Sequence, residues 1–397
     1  MTRKIAVVFE GNYTNRYGGF NAVINRVVSL RAIADYAIDV YMIQVYDKGL
    51  TRLRRESTPA VERPATIEVE GVKIVMWWVE RSWLDSLGHR VLGLSPAVML
   101  GRLRALSVRL KDYDIVSAHD RLAAHVAREA GRRYGMPVFF SWHGASIYTD
   151  PVEDRMIRRC TVELLKSPTC NFFVSDGLVR EAHKLTPHFK YEILLNGAPP
   201  QFHRYSDDER LRLRGRLGVA GCKVVAYAGR FEPVKNVLWL PDIFHRIALK
   251  YKGRVVFWTM GGGWQSGQVE RGFDDCGIDY KMWGKVAPEH MPDLFNCVDV
   301  LVLPSRLEGF PLVTIEALAC GANAVATDTV STAEGIGRDN VFKLDGDFID
   351  NISSRAAEML ERHIDQPLPV ECSCAATARK ENAIYQRYLT KYSEKKQ

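Results

Sequence analysis

Long apolar runs and CxxC cysteine pairs are missing from this chain of 397 residues, and its opening residues match a secretion signal poorly. No stretch approaches the roughly 18 consecutive apolar residues that a membrane-spanning helix needs. The opening residues contain only a short apolar run, Ile5 to Phe9, without a small-residue cleavage site, so they predict a first strand. The eight cysteines include no CxxC pair and several lie inside apolar runs, which disfavours a zinc site and a disulfide framework. These absences predict a protein of a reducing compartment, the cytoplasm.

The composition excludes a disordered or fibrous chain, because 47% of the residues are hydrophobic and 25% are charged. The charge is unevenly placed: residues 1–200 hold 28 Lys and Arg against 21 Asp and Glu, whereas the rest is neutral. The basic half predicts either a solvated surface or contact with an anionic partner, such as a phosphorylated acceptor or a membrane. The charges form no runs and no nucleic-acid motif is present, which disfavours nucleic acid.

A basic amphipathic segment, residues 99–111, leaves two alternatives open. Either it packs its leucine face inward, which we favour, or it lies on an anionic membrane as a peripheral contact.

Strand-length apolar runs alternate with helix-length amphipathic runs, a pattern typical of parallel sheets with crossover helices. The series stops at a polar linker that begins with Asn196-Gly197 and two prolines, and a second series then starts at KVVAYAGR. The pattern predicts an α/β protein of two similar Rossmann-like domains facing each other across a cleft. We assign 1–197 to the first domain, 198–375 to the second domain, and 376–397 to a terminal helix that packs back toward the first domain.

The segment from Pro304 to Gly321, PSRLEGFPLVTIEALACG, follows a buried strand and holds two glutamates, Glu308 and Glu316. Pro311 suits the first turn of a helix and Gly321 its end, which predicts a helix over 311–320. The free amides at its start, on Leu312 and Val313, predict an anion site. The Glu308 carboxylate then lies beside the bound anion, and the Glu316 carboxylate lies farther along the helix.

Two cations five residues apart, Arg230 and Lys235, follow the strand KVVAYA in GRFEPVKN. On a loop at a strand end they are suited to a diphosphate, because arginine offers a planar fork and lysine a compact charge.

Glycines and histidines also follow first-domain strands. Gly18-Gly19 comes after strand one, where neither GxGxxG nor GxxxxGK[ST] occurs, which disfavours dinucleotide oxidoreductases and P-loop enzymes. His119 and His143 each end a strand, so we expect both at the ligand-binding edge. A second glycine cluster, Gly261 to Gly263, is consistent with a simple turn. The two DxD triplets, at Asp112 and Asp345, have flanks typical of a strand start and a surface turn, so we expect no metal site.

Together these motifs resemble those of the retaining, nucleotide-sugar-dependent glycosyltransferases called family 4, whose two-domain fold is known as GT-B. The E-x7-E element of that family resembles Glu308 to Glu316, and its GR…K(G/N) element resembles Arg230 to Asn236. The family's glycine loop resembles Gly18-Gly19, and its inter-domain Asn-Gly resembles Asn196-Gly197. Its base-binding turn resembles Met282 to Val286.

The resemblance implies that the first domain, 1–197, binds the acceptor and that the second domain, 198–375, binds the nucleotide sugar. It also implies roles for single residues. Arg230 and Lys235 would neutralise the donor diphosphate, Glu316 would bind the ribose, and Glu308 and His119 would act at the transferred sugar. The remaining donor contacts that it implies are Gly18, Gly19, Trp283, Gly284, Lys285, Val286, Phe310, Pro311, Leu312 and Val313. His143 and Asn196 are expected as acceptor or cleft residues.

The function that the resemblance implies is retaining transfer of a sugar from a UDP- or GDP-sugar, without metal or cofactor, to a glycan or lipid-linked acceptor. Cell-surface polysaccharide or glycolipid synthesis is the expected setting. A nucleotide-sugar epimerase or a sugar phosphorylase on the same fold stays open as an alternative. Acceptor specificity is expected within 48–64 and 77–94, which match no motif.

Overall fold

The computed structural model describes residues 2–14, 18–47, 63–81, 97–362 and 364–394. The segments in which we expect acceptor specificity therefore lie mostly outside the described residues. The chain divides into two compact units, Met1–Leu195 with Ala375–Gln397, and Asn196–Cys374.

The first unit is built on an eight-stranded sheet with the strand order β3-β4-β2-β1-β5-β6-β7-β8. All neighbouring strands are parallel except β3 and β4, which form an antiparallel pair. The central strands are buried throughout because helices cover both faces of a parallel sheet. The strands are β1 Arg3–Glu10, β2 Tyr36–Asp47, β3 Thr66–Val69, β4 Val72–Arg81, β5 Ile115–His119, β6 Val138–Trp142, β7 Cys170–Phe173 and β8 Tyr191–Ile193.

The helices of the first unit follow its strands as crossovers. In chain order they are α1 Gly19–Ile33, α2 Ala97–Arg109, α3 Asp120–Tyr134, α4 Ala145–Tyr148, α5 Asp150–Glu153, α6 Arg155–Leu165 and α7 Asp176–Leu185. Leu103, Leu106 and Leu110 are buried, so the basic segment at α2 packs its leucine face inward, as we favoured.

The second unit contains a six-stranded parallel sheet with the order β11-β10-β9-β12-β13-β14. Its strands are β9 Lys223–Ala228, β10 Val255–Met260, β11 Tyr280–Met282, β12 Val300–Leu303, β13 Asn323–Thr327 and β14 Val341–Phe342. Its helices are α8 Asp207–Arg216, α9 Leu240–Lys250, α10 Ser266–Cys276, α11 Met291–Cys297, α12 Leu312–Ala319, α13 Thr332–Ile336 and α14 Phe348–Arg362. Because the strands are parallel, the loops after β9 to β13 all leave the same edge of the sheet.

The last helix, α15 Cys374–Glu394, belongs almost entirely to the first unit. Ile384, Tyr385 and Leu389 are buried in the same apolar cluster as β1, β2 and α1. No helix among the described residues is both long and apolar enough to cross a membrane.

The predicted strands are all present, and the fold differs from prediction in three details. The strand β3 was not predicted, since TIEV is too short and too exposed to give a clear pattern. The amphipathic run over 151–166 predicts a single helix, but it is broken at Asp154, whose carboxylate caps α6 by accepting from the amides of Met156 and Ile157. The helix expected over 311–320 begins at Leu312, with Pro311 as the residue that precedes it.

Candidate functional site

In the second unit, an ion pair joins the loops that follow β9 and β12. Lys235 Nζ lies 2.7 Å from Glu308 Oε1, and the two side chains are only 17% and 12% exposed. Few water molecules can therefore screen the pair, which couples the predicted diphosphate-binding lysine to the predicted sugar-binding glutamate.

Hydrogen bonds to backbone carbonyls fix the positions of these two loops relative to each other. The Asn236 side-chain amide donates to the Pro304 carbonyl at 3.0 Å, and the Arg306 amide donates to the Val234 carbonyl at 2.8 Å. Asn236 has a φ of 49°, in the left-handed region, which explains why asparagine or glycine suits this position. The geometry of the Lys235–Glu308 pair is thus fixed by the fold.

Arg230 occupies the same edge but is exposed. Its guanidinium pairs with Glu232 at 2.8 Å, and the Tyr227 hydroxyl donates to its carbonyl at 2.9 Å. Gly229, just before it, has a φ of 156° that side chains rarely adopt. An exposed arginine on a shaped turn remains able to exchange its carboxylate partner for a phosphate.

The glycines at 261–263 do more than form a turn. A Cβ on Gly261 would lie 2.0 Å from the Gly229 carbonyl oxygen, and one on Gly263 would lie 2.6 Å from the Phe231 oxygen. The Phe231 amide donates to the Gly262 carbonyl at 3.0 Å. The loop after β10 therefore packs its backbone directly on the loop that carries Arg230.

The loop after β11 is attached to the same assembly. The Gly261 amide donates to the Gly284 carbonyl at 2.7 Å, and the Trp283 amide donates to the Thr259 carbonyl at 2.9 Å. Lys281 Nζ lies 3.6 Å from the centre of the Trp283 ring. Trp283 Nε1 is buried and has no hydrogen-bond partner among the described residues. Lys285 is exposed, whereas Val286 packs against the apolar core.

Helix α12 brings the remaining predicted donor residues to this edge. Phe310 and Pro311 are buried, and Leu312 and Val313 open the helix, where amides have no carbonyl partner within the helix. Glu316 lies in its second turn, and burial raises the pKa of its carboxyl to about 7. Near neutral pH this carboxyl therefore exists in both protonation states.

In the first unit, His119 and His143 form a stacked pair. His119 Nδ1 lies 2.9 Å from His143 Nε2, and the ring centres are 5.2 Å apart. Burial, followed by the charge of the Arg26 guanidinium, lowers the pKa of His119 well below its usual value. Burial also lowers the pKa of His143, so both rings are neutral near pH 7.

The neutral pair has a favoured tautomer. His143 Nδ1 is buried without a hydrogen-bond partner among the described residues, and an unpaired buried N–H is rarer in proteins than an unpaired acceptor. His143 therefore carries its proton on Nε2 and donates to His119 Nδ1. This arrangement places the His119 proton on Nε2, where it is a hydrogen-bond donor rather than a base.

Sequence reasoning missed three charged residues around this pair. Arg26, on α1, is buried and lowers the pKa of both histidines. Asp120 follows His119 with a φ of 66° and accepts from the Ser146 hydroxyl at 3.1 Å. Glu10 ends β1 and is still reached by solvent, although desolvation and the Asp120 carboxylate raise the pKa of its carboxyl. Only Glu10 and Asp120 had a usable signal, namely their positions at strand ends.

The other first-unit predictions occupy distinct places. Gly18 precedes α1 with a φ of 50° and Gly19 opens that helix, both exposed. Asn196, the first residue of the second unit, is buried, and a Cβ on the next residue, Gly197, would lie 2.2 Å from the Cys374 amide nitrogen of the same unit. Close packing against Cys374 thus explains why glycine is suited to position 197.

The DxD triplets have structural partners. Asp114 accepts from the Arg3 side chain and the Lys4 amide, both at 2.8 Å, and Asp345 accepts from the Asp347 amide. Within the described ranges, no group of three or more His, Cys, Asp or Glu side chains is arranged to hold a metal ion.

Two protein-family models match the chain. Residues 18–197 match a model described as a glycosyl transferase 4-like domain, and residues 222–362 match one described as glycosyl transferases group 1. Among curated proteins, D-inositol 3-phosphate glycosyltransferase 1 of Catenulispora acidiphila is 28% identical over 314 residues, which are 70% of this chain and 68% of that protein.

Solved structures of the same fold cover nearly the whole chain. Sucrose-phosphate synthase from Thermosynechococcus elongatus has a TM-score of 0.72 at 15% identity, covering 98% of this chain and 99% of that one. The Anabaena protein HepE, in complex with UDP and glucose, has a TM-score of 0.65 at 17% identity, covering 98% and 97%. Identities this low show the fold alone, and the predicted GT-B fold class is confirmed.

Proposed function

The chain belongs to the GT4-like glycosyltransferases, and from this membership we propose that it is a retaining transferase that uses a UDP- or GDP-sugar without a metal. The observation that carries the proposal is the Lys235–Glu308 ion pair, at the sheet edge that also presents Arg230 and the start of α12. HepE, a protein of the same fold, was solved with UDP and glucose, which supports a nucleotide-sugar donor.

The chemistry needs positive charge where the leaving group forms. In the transfer, the bond between the sugar C1 and the diphosphate oxygen breaks, and an acceptor hydroxyl oxygen bonds to C1 on the same face. The hydroxyl proton leaves with the nucleoside diphosphate. Arg230, Lys235 and the amides that open α12 supply fixed positive charge for that diphosphate, the role that a metal ion plays in other enzymes.

The ion pair suggests how donor binding prepares the site. A diphosphate that attracts Lys235 releases Glu308 from its partner, and the freed carboxylate is then able to accept hydrogen bonds from the transferred sugar. Both family matches are to transferases, which favours transfer over the epimerase and phosphorylase alternatives.

The first test is isothermal calorimetry with UDP and GDP, with and without a chelator, followed by NMR of the product anomer formed from the donor that binds. We expect one nucleotide to bind with unchanged affinity in the chelator, and the product to keep the donor's anomeric configuration. Inversion would contradict retention, and binding that disappears with the chelator would contradict metal independence.

Glu308→Gln separates catalysis from binding. Because Glu308 is proposed to act on the sugar, this variant should lose about 100-fold in transfer rate and keep nucleotide affinity within about threefold. Equal losses in rate and affinity would place Glu308 in donor binding instead.

The proposed acceptor is a glycan or a lipid-linked glycan in cell-surface polysaccharide or glycolipid synthesis. The positive excess of residues 1–200 supports an anionic carrier. Flotation with vesicles containing anionic lipid tests the peripheral membrane contact: binding that weakens with salt is expected, and no binding at low salt would remove that part of the proposal.

A further inference from the structure

Trp264 is the most exposed aromatic side chain among the described residues. It is 72% exposed, followed by Tyr191 at 42%. A single exposed apolar residue is common at protein surfaces, so the exposure alone assigns nothing. The position of Trp264 at the edge of the sheet and the fixed conformation of its loop are more informative.

The loop that presents Trp264 is held by close packing against the Phe231 backbone and by the side chain of Ser266. Gly263 lies so close to Phe231 that a Cβ would be 2.6 Å from the Phe231 oxygen. The Ser266 hydroxyl accepts from the Gly263 amide at 3.1 Å and donates to its carbonyl at 2.8 Å. A large ring on a fixed loop loses little conformational entropy when a ligand covers it.

The strand order places Trp264 beside a particular part of the proposed donor. Strand β10, whose loop carries Trp264, lies between β11 and β9. The loop after β11 holds the turn that we expect at the nucleobase, and the loop after β9 carries Arg230, expected at the diphosphate. Glu308 and α12 follow β12, on the far side of β9. Trp264 therefore lies toward the base end of the donor and away from the sugar end.

A polar group next to Trp264 also lacks a partner. Gln265 is only 5% exposed, and its Oε1 has no hydrogen-bond partner among the described residues. The residue that follows the exposed ring in the chain thus holds a buried acceptor that the described residues leave unpaired, and the N–H groups of a nucleobase are donors of the matching kind.

We propose that Trp264 is a stacking platform for the nucleobase of the donor. This inference rests on the proposed function and adds a residue to it. Every nucleobase has a π face, so the platform adds affinity without selecting between uracil and guanine, and selection is left to the loop after β11.

The test compares three variants by calorimetric titration with UDP, GDP and inorganic pyrophosphate. Trp264→Ala removes the ring, Trp264→Phe keeps a smaller one, and Leu249→Ala is the control, because Leu249 is also 72% exposed but lies at the end of α9. We expect Trp264→Ala to weaken the nucleotide that binds by about tenfold and Trp264→Phe by less. Pyrophosphate, which has no base, should bind all variants equally, and Leu249→Ala should match the unmodified protein.

Two outcomes would contradict the role of Trp264 while leaving the proposed nucleotide-sugar donor intact. In the first, Trp264→Ala binds the nucleotide with the same affinity as the unmodified protein. This outcome includes the case in which the variant loses only vesicle binding. The other is an equal loss for pyrophosphate, which would mean that the substitution acts through the Arg230 loop. If the unmodified protein binds neither UDP nor GDP, the donor proposal itself fails, and the platform with it.

Discussion

Among single side chains, Lys235 has the largest expected effect on donor binding, because it is mostly buried and already holds a carboxylate. Lys235→Ala removes a cation from the proposed diphosphate site and leaves Glu308 without its partner. A hydrogen bond between charged groups contributes about 1.5–3 kcal/mol, so nucleotide affinity should fall about 10- to 100-fold. Calorimetry with UDP and GDP measures the change.

Lys250→Ala is the matched control for that substitution. Lys250 also pairs with an aspartate, Asp350 at 3.1 Å, but both side chains are exposed, so nucleotide affinity should not change. Unaltered affinity in Lys235→Ala would remove Lys235 from the donor site.

Glu316 gives the site a pH dependence. Burial raises the pKa of its carboxyl from 4.5 to about 7, so the folded chain holds this proton more tightly than the unfolded chain does. The resulting stabilisation is complete below pH 4.5 and is lost as the pH rises toward 7. Glu316→Gln, which stays neutral, should therefore gain stability relative to the unmodified protein as the pH rises from 4.5 to 7.

Two measurements check this prediction. Urea unfolding at several pH values should show the relative gain, on the order of 1–3 kcal/mol. Nucleotide affinity of the unmodified protein should rise across pH 6 to 8 as the Glu316 carboxylate, which we expect at the ribose, ionises, and it should stay flat in Glu316→Gln. A parallel stability curve for the two proteins would contradict the raised pKa.

At the scale of elements, the loops at the sheet edge are positioned by glycines that the sequence left ambiguous. The run Gly261 to Gly263 is compatible with any turn, and only the structure shows it against Gly229 and Phe231. Gly261→Ala would place a Cβ 2.0 Å from the Gly229 oxygen, at a φ of 122°. We expect this variant to lose at least about 1–3 kcal/mol of stability and to displace the Arg230 loop, so that nucleotide binding weakens.

Gly215→Ala is the control for backbone packing. Gly215 lies in α8, where nothing is within 4 Å of an added Cβ, so alanine should stabilise the protein by about 0.5–1 kcal/mol. Thermal unfolding and calorimetry on both variants measure the contrast. A Gly261→Ala protein with unchanged melting temperature and nucleotide affinity would show that the loops are not coupled.

The elements themselves were largely predictable because buried parallel strands appear as short apolar runs. VDVLVL and KVVAYA became β12 and β9, and the carboxyl edge that they define was foreseen. The Lys235–Glu308 pair was not, since the two residues are 73 positions apart and their contact depends on how the two loops fold over that edge. The tautomer of the histidine pair likewise follows from a 2.9 Å contact that no sequence pattern encodes.

For the whole molecule, the first unit depends on residues from both ends of the chain. Arg26, on α1, forms a bidentate pair with Glu381, on α15, with contacts of 2.7 and 3.1 Å, and it also donates to the Ser141 hydroxyl at 3.0 Å. The two partners are 355 positions apart, so the pair could not be inferred from sequence. Ser141 is the register partner of His119 on the neighbouring strand. The last helix thus supplies the counter-charge for an arginine that acts on the histidine pair.

Glu381→Ala should therefore be strongly destabilising. The side chains of Arg26 and Glu381 are 5% and 4% exposed, and removal of the carboxylate takes away the bidentate ion-pair partner of a buried guanidinium, which costs about 3–5 kcal/mol. Glu192→Ala is the control: Glu192 pairs with Arg387 on the same helix, but that pair is exposed, so its loss should cost less than about 1 kcal/mol. Differential scanning calorimetry should show the transition temperature of the first unit lowered in Glu381→Ala alone.

Because the penalty comes from the buried charge rather than from a missing contact, Arg26→Met combined with Glu381→Leu should restore most of the stability. Equal stability of Glu381→Ala and Glu192→Ala would show that Arg26 finds another counter-charge when Glu381 is gone.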